Sequence, residues 1–149
     1  MRKTTYSIIL ILLLVITAAS CNQENTVQEE PVKISLNPNG DSELALLMRS
    51  MYDEADRIKK QIANKEPVTI SLDHEKILSA HATEPKKAAS PEFKTFAKAY
   101  IETVNKFEGA NHEESIVIYE SLIKNCLDCH KSVCPGPIVK INKLKKKSF

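Results

Sequence analysis

The chain has no tryptophan, only three glycines, and aromatic side chains at 5% of its 149 positions. A core built without large aromatics must be mostly aliphatic, and a buried cofactor would add much apolar area to it. No stretch alternates polar and apolar residues for long enough to build a sheet, and no segment repeats. There is no glycine-rich phosphate loop, no nucleophile paired with a base and no Glu-x-x-His di-iron repeat. His74-Glu75 is followed by no histidine at metalloprotease spacing, since His81 comes seven residues after His74. The composition therefore gives no expectation of an enzyme. Excess charge of one sign is also missing. Without Arg2 and Lys3, 19 basic residues face 19 acidic ones, so the formal net charge of +2 is no nucleic-acid signature.

What is present begins at the N-terminus. Arg2 and Lys3 precede an unbroken apolar run from Ile8 to Ile16, and Thr17-Ala18-Ala19-Ser20 supplies small residues before Cys21. Nine apolar residues are too few to cross a bilayer core of about 30 Å as a helix, so residues 1–20 read as an export signal. Small residues followed directly by cysteine resemble the lipobox of bacterial lipoproteins, which implies cleavage before Cys21 and lipid attachment there; ordinary cleavage nearby is the alternative. Residues 21–40 carry Pro31, Pro38 and many Asn, Gln and Glu, the composition of a flexible tether. The expected location is outside the inner membrane, anchored on the periplasmic face or at the cell surface. Roughly 110 residues remain, enough for one domain.

The sharpest motif is Cys126-Leu127-Asp128-Cys129-His130. Cysteines three apart on a helix share a face, and a histidine four residues after the first joins them. C-x-x-C-H is the attachment pattern of c-type haem. Cys126 and Cys129 would each form a thioether with a haem vinyl group, and His130 would give Nε2 to the iron. Its Nδ1 would then need an acceptor to orient the ring. One covalent haem c is the cofactor so expected. The competing reading takes Cys126, Cys129, His130 and Cys134 as a Cys3His zinc set. Lipidation at Cys21 and two thioethers would leave Cys134 unused.

Helical periodicity fills residues 41–134. Asp41 or Ser42 caps a first helix running to about residue 65, with the seam Leu44, Met48, Met51, Ala55, Ile58 and Ile62. Asp53, Glu54, Asp56, Arg57, Lys59 and Lys60 read as its solvated face. A second, shorter helix is expected over residues 73–83, burying Ile77, Leu78 and His81, with His74 exposed at its start. Ser90-Pro91-Glu92 opens a third helix along Phe93, Phe96, Ala97, Tyr100, Val104 and Phe107, stopped by Gly109. Asn111 opens the fourth, with the stripe Ile116, Tyr119, Ile123, Cys126 and His130. The remaining residues 135–149 read as a basic tail, suited to docking an acidic redox partner or anionic headgroups, or simply solvated.

Four amphipathic helices with C-x-x-C-H on the last resemble the class II c-type cytochromes, the cytochrome c-prime and c556 group. The resemblance implies an antiparallel four-helix bundle, a monohaem electron carrier exchanging electrons with redox partner proteins, and a tendency to form homodimers. It also implies a distal methionine on the first helix. Apolar residues three, seven and ten positions further on are the family pattern, and Met51, Ala55 and Ile58 place Met48 in that role. Leu44 stands where the family often has arginine, and the chain continues past the motif where family members usually stop. His81 remains an alternative distal ligand. An open distal site would instead make the protein a binder of NO or CO.

Overall fold

The structure, a computed structural model, describes residues 41–145. The export signal, Cys21, the whole tether to residue 40 and residues 146–149 of the tail lie outside the described residues. Those described are all-α: five α-helices and two 3₁₀ turns, with no strand among them. Among them no helix is long and apolar enough to cross a membrane.

Helix α1 (Glu43–Ala63) starts where Ser42 accepts a hydrogen bond from the Ala45 amide at 3.2 Å, with Glu43 in the first turn favouring the dipole. Met51, Ala55, Ile58 and Ile62 are buried, while Leu44, Leu47 and Met48 are half-buried against the same core. The expected seam is therefore present. Lys65 closes the helix with φ 58°, a left-handed conformation that costs a side-chain-bearing residue about 1 kcal/mol.

The second helix is not as expected. Residues 64–73 are largely irregular, and only His74–Leu78 coils, as a 3₁₀ turn. Ser79, Thr83 and Pro85 offer little to propagate a helix, and His74 is held inside by long-range hydrogen bonds described below. Pro85, expected as a stop, instead occupies the first turn of the four-residue helix α2 (Pro85–Ala88).

Helix α3 (Pro91–Asn105) has the expected start, with Ser90 accepting from the Phe93 amide at 3.1 Å. Phe93, Ala97, Tyr100, Ile101, Thr103 and Val104 are buried, and Phe107 follows in the turn that Gly109 ends at φ 73°. Helix α4 (His112–Ser132) opens on a capping box: Asn111 accepts from the Glu114 amide at 2.9 Å, and the Glu114 carboxylate accepts from the Asn111 amide at 2.8 Å. It buries Tyr119, Leu122, Ile123 and Leu127.

The register of α3 against α4 is antiparallel. Asn125 donates to Thr103 Oγ1 at 2.7 Å and to the Ala99 carbonyl at 3.3 Å, while Ser132, further along α4, donates to Glu92 near the start of α3. The Cys126–His130 segment consequently lies at the end of the hairpin where α3 begins.

Folded structure also continues past residue 134. Helix α5 (Ile138–Ile141) and a 3₁₀ turn (Asn142–Leu144) return to the core, where Ile141 and Leu144 are buried. Tyr119 donates to the Leu144 carbonyl at 2.9 Å, and Lys59 reaches the carbonyls of Lys143 and Lys145 at 3.4 and 3.3 Å. Lys140 sits 4.4 Å above the Tyr52 ring. The expected domain end at 134 is thus too early. Ile138, Ile141 and Leu144, three residues apart, form an apolar face that the neighbouring lysines obscure in composition.

Candidate functional site

Cys126, Cys129 and His130 occupy the last two turns of α4. Cys126 is half-buried and packs against the hydrophobic core, as does Met48 of α1. Burial pushes the Cys126 thiol up to about 12, with the neighbouring Cys129 adding to the shift. Burial likewise pushes Cys129 up to about 11, followed by the charges of Cys134 and Glu92. Both are therefore neutral thiols at ordinary pH, not reactive thiolates.

His130 is oriented by the chain that follows it. Val133 caps α4, its amide donating to the Cys129 carbonyl at 2.8 Å, and Pro135 prevents the helix from continuing. The Cys134 carbonyl consequently turns back, and His130 Nδ1 lies 2.8 Å from it. A carbonyl only accepts, so Nδ1 carries the proton and Nε2 keeps its lone pair. An imidazole with Nδ1–H held by a backbone oxygen is the usual state of a metal-bound histidine. The acceptor anticipated for Nδ1 is thus supplied within four residues. Two thiols and an imidazole whose Nε2 carries a lone pair, together at one helix end, are the residue types that would hold c-type haem.

Among the described residues, no three His, Cys, Asp or Glu side chains gather so as to hold a metal ion. Cys134, the fourth member of the zinc reading, is exposed.

His81 is not buried. Its backbone amide and Nδ1 both bond Glu43 Oε2, at 3.0 and 3.1 Å, and its side chain is 95% exposed. Its carbonyl accepts from the Leu44 amide at 2.9 Å, so it helps cap α1 at the surface and is removed from the distal candidates. Met51 lies deeper in the core than Met48.

His74 reverses its expectation in the other direction, at 7% exposure. Its Nε2 lies 2.6 Å from Glu54 Oε2, and its Nδ1 3.0 Å from the Tyr100 hydroxyl. Glu54, assigned to the solvated face, is 4% exposed. Its Oε1 accepts from the Ser71 amide and hydroxyl, each at 2.7 Å, from the Leu72 amide at 3.2 Å and from Arg57 at 2.7 Å. Burial opposes ionisation of Glu54, but the Ser71 donors and then His74 outweigh it and hold the carboxyl below its usual range. Sequence reasoning missed this network. The available signal was spacing: Met51, Glu54, Ala55 and Ile58 follow the three-and-four rhythm that marks one helix face.

Comparison with protein-family models, with curated proteins and with solved structures finds no match to this chain.

Proposed function

We propose that this protein is a monohaem c-type cytochrome that carries electrons while anchored to a membrane by lipid at Cys21. The observation that carries the proposal is the hydrogen bond from His130 Nδ1 to the Cys134 carbonyl, which leaves Nε2 for iron one turn beyond Cys126 and beside Cys129. Haem c, when bound, supplies an iron that alternates between Fe(II) and Fe(III). The chain supplies the rest. Cys126 and Cys129 would hold the group covalently through their sulfurs. Because Cys126 packs against the core, attachment at its sulfur would have to precede closure of the bundle. His130, through Nε2, and Met48 on α1 would hold the iron. Helices α1, α3 and α4, together with residues 73–88, would enclose the group. Redox partner proteins exchange electrons with it outside the inner membrane, without nucleic acid and without catalysis.

The test is expression of the full chain in a host competent for cytochrome maturation, followed by haem staining after denaturation and a pyridine haemochrome spectrum. A stained band lost in the Cys126→Ser/Cys129→Ser double variant supports the proposal; colourless protein from that host refutes it. Met48→Ala should abolish the weak long-wavelength band of a thioether-ligated ferric haem. High-spin iron that binds CO rapidly in the unaltered chain would instead identify a gas-binding protein.

A further inference from the structure

The carbonyl that holds His130 Nδ1 belongs to the peptide bond between Cys134 and Pro135, and a peptide bond is a rigid plane. Its oxygen therefore points only where the position of Pro135 allows. On the helix side the Cys134 amide donates to the His130 carbonyl at 3.3 Å, which leaves rotation about the Cys134 Cα–C bond as the freedom that would swing the oxygen away. Cys134 is exposed, so packing of its own side chain does little to resist that rotation.

Beyond Pro135 the chain is stiff. Proline fixes φ at residues 135 and 137, the Ile138 amide donates to the Pro135 carbonyl at 3.1 Å, and the Ile141 amide donates to the Pro137 carbonyl at 3.0 Å. It is also anchored. Ile141 and Leu144 are buried, at 7% and 2% exposure, and Ile138 is half-buried against the same core. Two other helices pin the far end: Tyr119 of α4 donates to the Leu144 carbonyl at 2.9 Å, and Lys59 of α1 reaches the carbonyls of Lys143 and Lys145.

We propose that residues 135–145 form a strap whose anchoring at Ile141 and Leu144 positions the Cys134 carbonyl, and through it holds His130 with its proton on Nδ1 and its lone pair on Nε2. Tyr119, Lys59 and Leu144 are then positioning residues for His130. One hydrogen bond at an exposed helix end contributes, net, no more than the backbone freedom that one residue gives up to make it. With the strap seated, that freedom is already lost and the bond persists. With the strap released, the carbonyl samples other directions and Nδ1–H meets water. The inference deepens the haem reading and rests on it: an imidazole whose Nδ1–H is held by an oxygen is the stronger donor to iron, which favours Fe(III).

The test uses the full chain from a host competent for cytochrome maturation, labelled with ¹⁵N-histidine. In reduced, haem-loaded protein, solvent exchange of the His130 Nδ1–H should be about threefold to tenfold faster in Tyr119→Phe, Lys59→Met and Leu144→Ala than in the unaltered chain. Their midpoint potentials should rise by the same factor in the reduction equilibrium, up to about 59 mV. Leu144→Met, which refills the site, should restore both values. Ile77→Ala, a buried truncation on another element, should lower stability and move neither. Exchange and potential unchanged in the folded strap variants, or an equal change in Ile77→Ala, overturns the inference. Where the variants unfold, the unaltered chain decides: protection of the Nδ1–H should agree within about tenfold with that of the Ile141 amide, which opens with the strap, and a larger disagreement overturns it. In material that stains for no haem the cytochrome reading fails by itself. The same variants should there shift the His130 tautomer ratio toward Nε2–H at about pH 9, and an unmoved ratio overturns the strap as well.

Discussion

His130 and His74 make opposite use of the same side chain. His130 commits one ring nitrogen to a carbonyl four residues away and keeps the other, whereas His74 commits both, to Glu54 and Tyr100, 20 and 26 residues away. A histidine with one nitrogen oriented and the other spare is built to hold something; a histidine with both engaged is built into the fold. Neither role follows from burial alone, because the better-buried ring is the one without a spare nitrogen.

The largest effect should come from exchanging the two. His74→Ala removes one partner of a buried pair, and about 3–5 kcal/mol of unfolding free energy should be lost in chemical denaturation of the haem-free chain. His130→Ala, at the helix end, should cost about 1 kcal/mol or less in the same assay while abolishing the low-spin spectrum of the haem-loaded protein. Equal losses of stability would erase the distinction.

Next in size is the tail. Leu144→Ala opens a void at a side chain 2% exposed and should cost about 2–5 kcal/mol by the same measurement. A neutral Leu144→Ala would return residues 135–145 to the solvated tail suggested by their lysines.

Acid should distinguish the two histidine environments further. The Glu54 carboxyl titrates below its unfolded value, so the stability it contributes is fully present above the unfolded glutamate range, about pH 4.3, and is lost as pH falls through the folded value. Glu54→Gln should therefore show a shallower decline of denaturation midpoint on acidification. An unchanged slope would mean that other carboxylates carry the acid response.

The smallest effect concerns the end of α1. Lys65→Gly relieves the left-handed backbone of an exposed residue and should raise stability by about 1 kcal/mol or less. A loss would show that the Lys65 side chain contributes more than its strain.

Legibility in the sequence followed the distance between partners. The starts of α1, α3 and α4 were readable because Ser42, Ser90 and Asn111 bond amides three residues ahead. The cysteine and histidine cluster was readable because helix geometry places its members together. The segment 73–83 was misjudged because His74 satisfies both ring nitrogens on other elements, and the same long-range demand draws Glu54 inward. His81 was misplaced because Glu43, 38 residues away, holds it at the surface. The tail was misjudged because apolar residues three apart bury one face whatever charge the others carry.

Sequence by itself determined the all-α class, the helix starts, and the placing of two thiols and an imidazole on one helix end, because each rests on bonds and spacings within a few residues. Only the tertiary structure decided which histidine lies inside, which acid becomes a buried anchor and that residues past 134 return to the core. A charge or a lysine-rich strand of tail is held at the core only when donors and apolar surfaces from distant elements converge on it, and local sequence carries no record of that convergence.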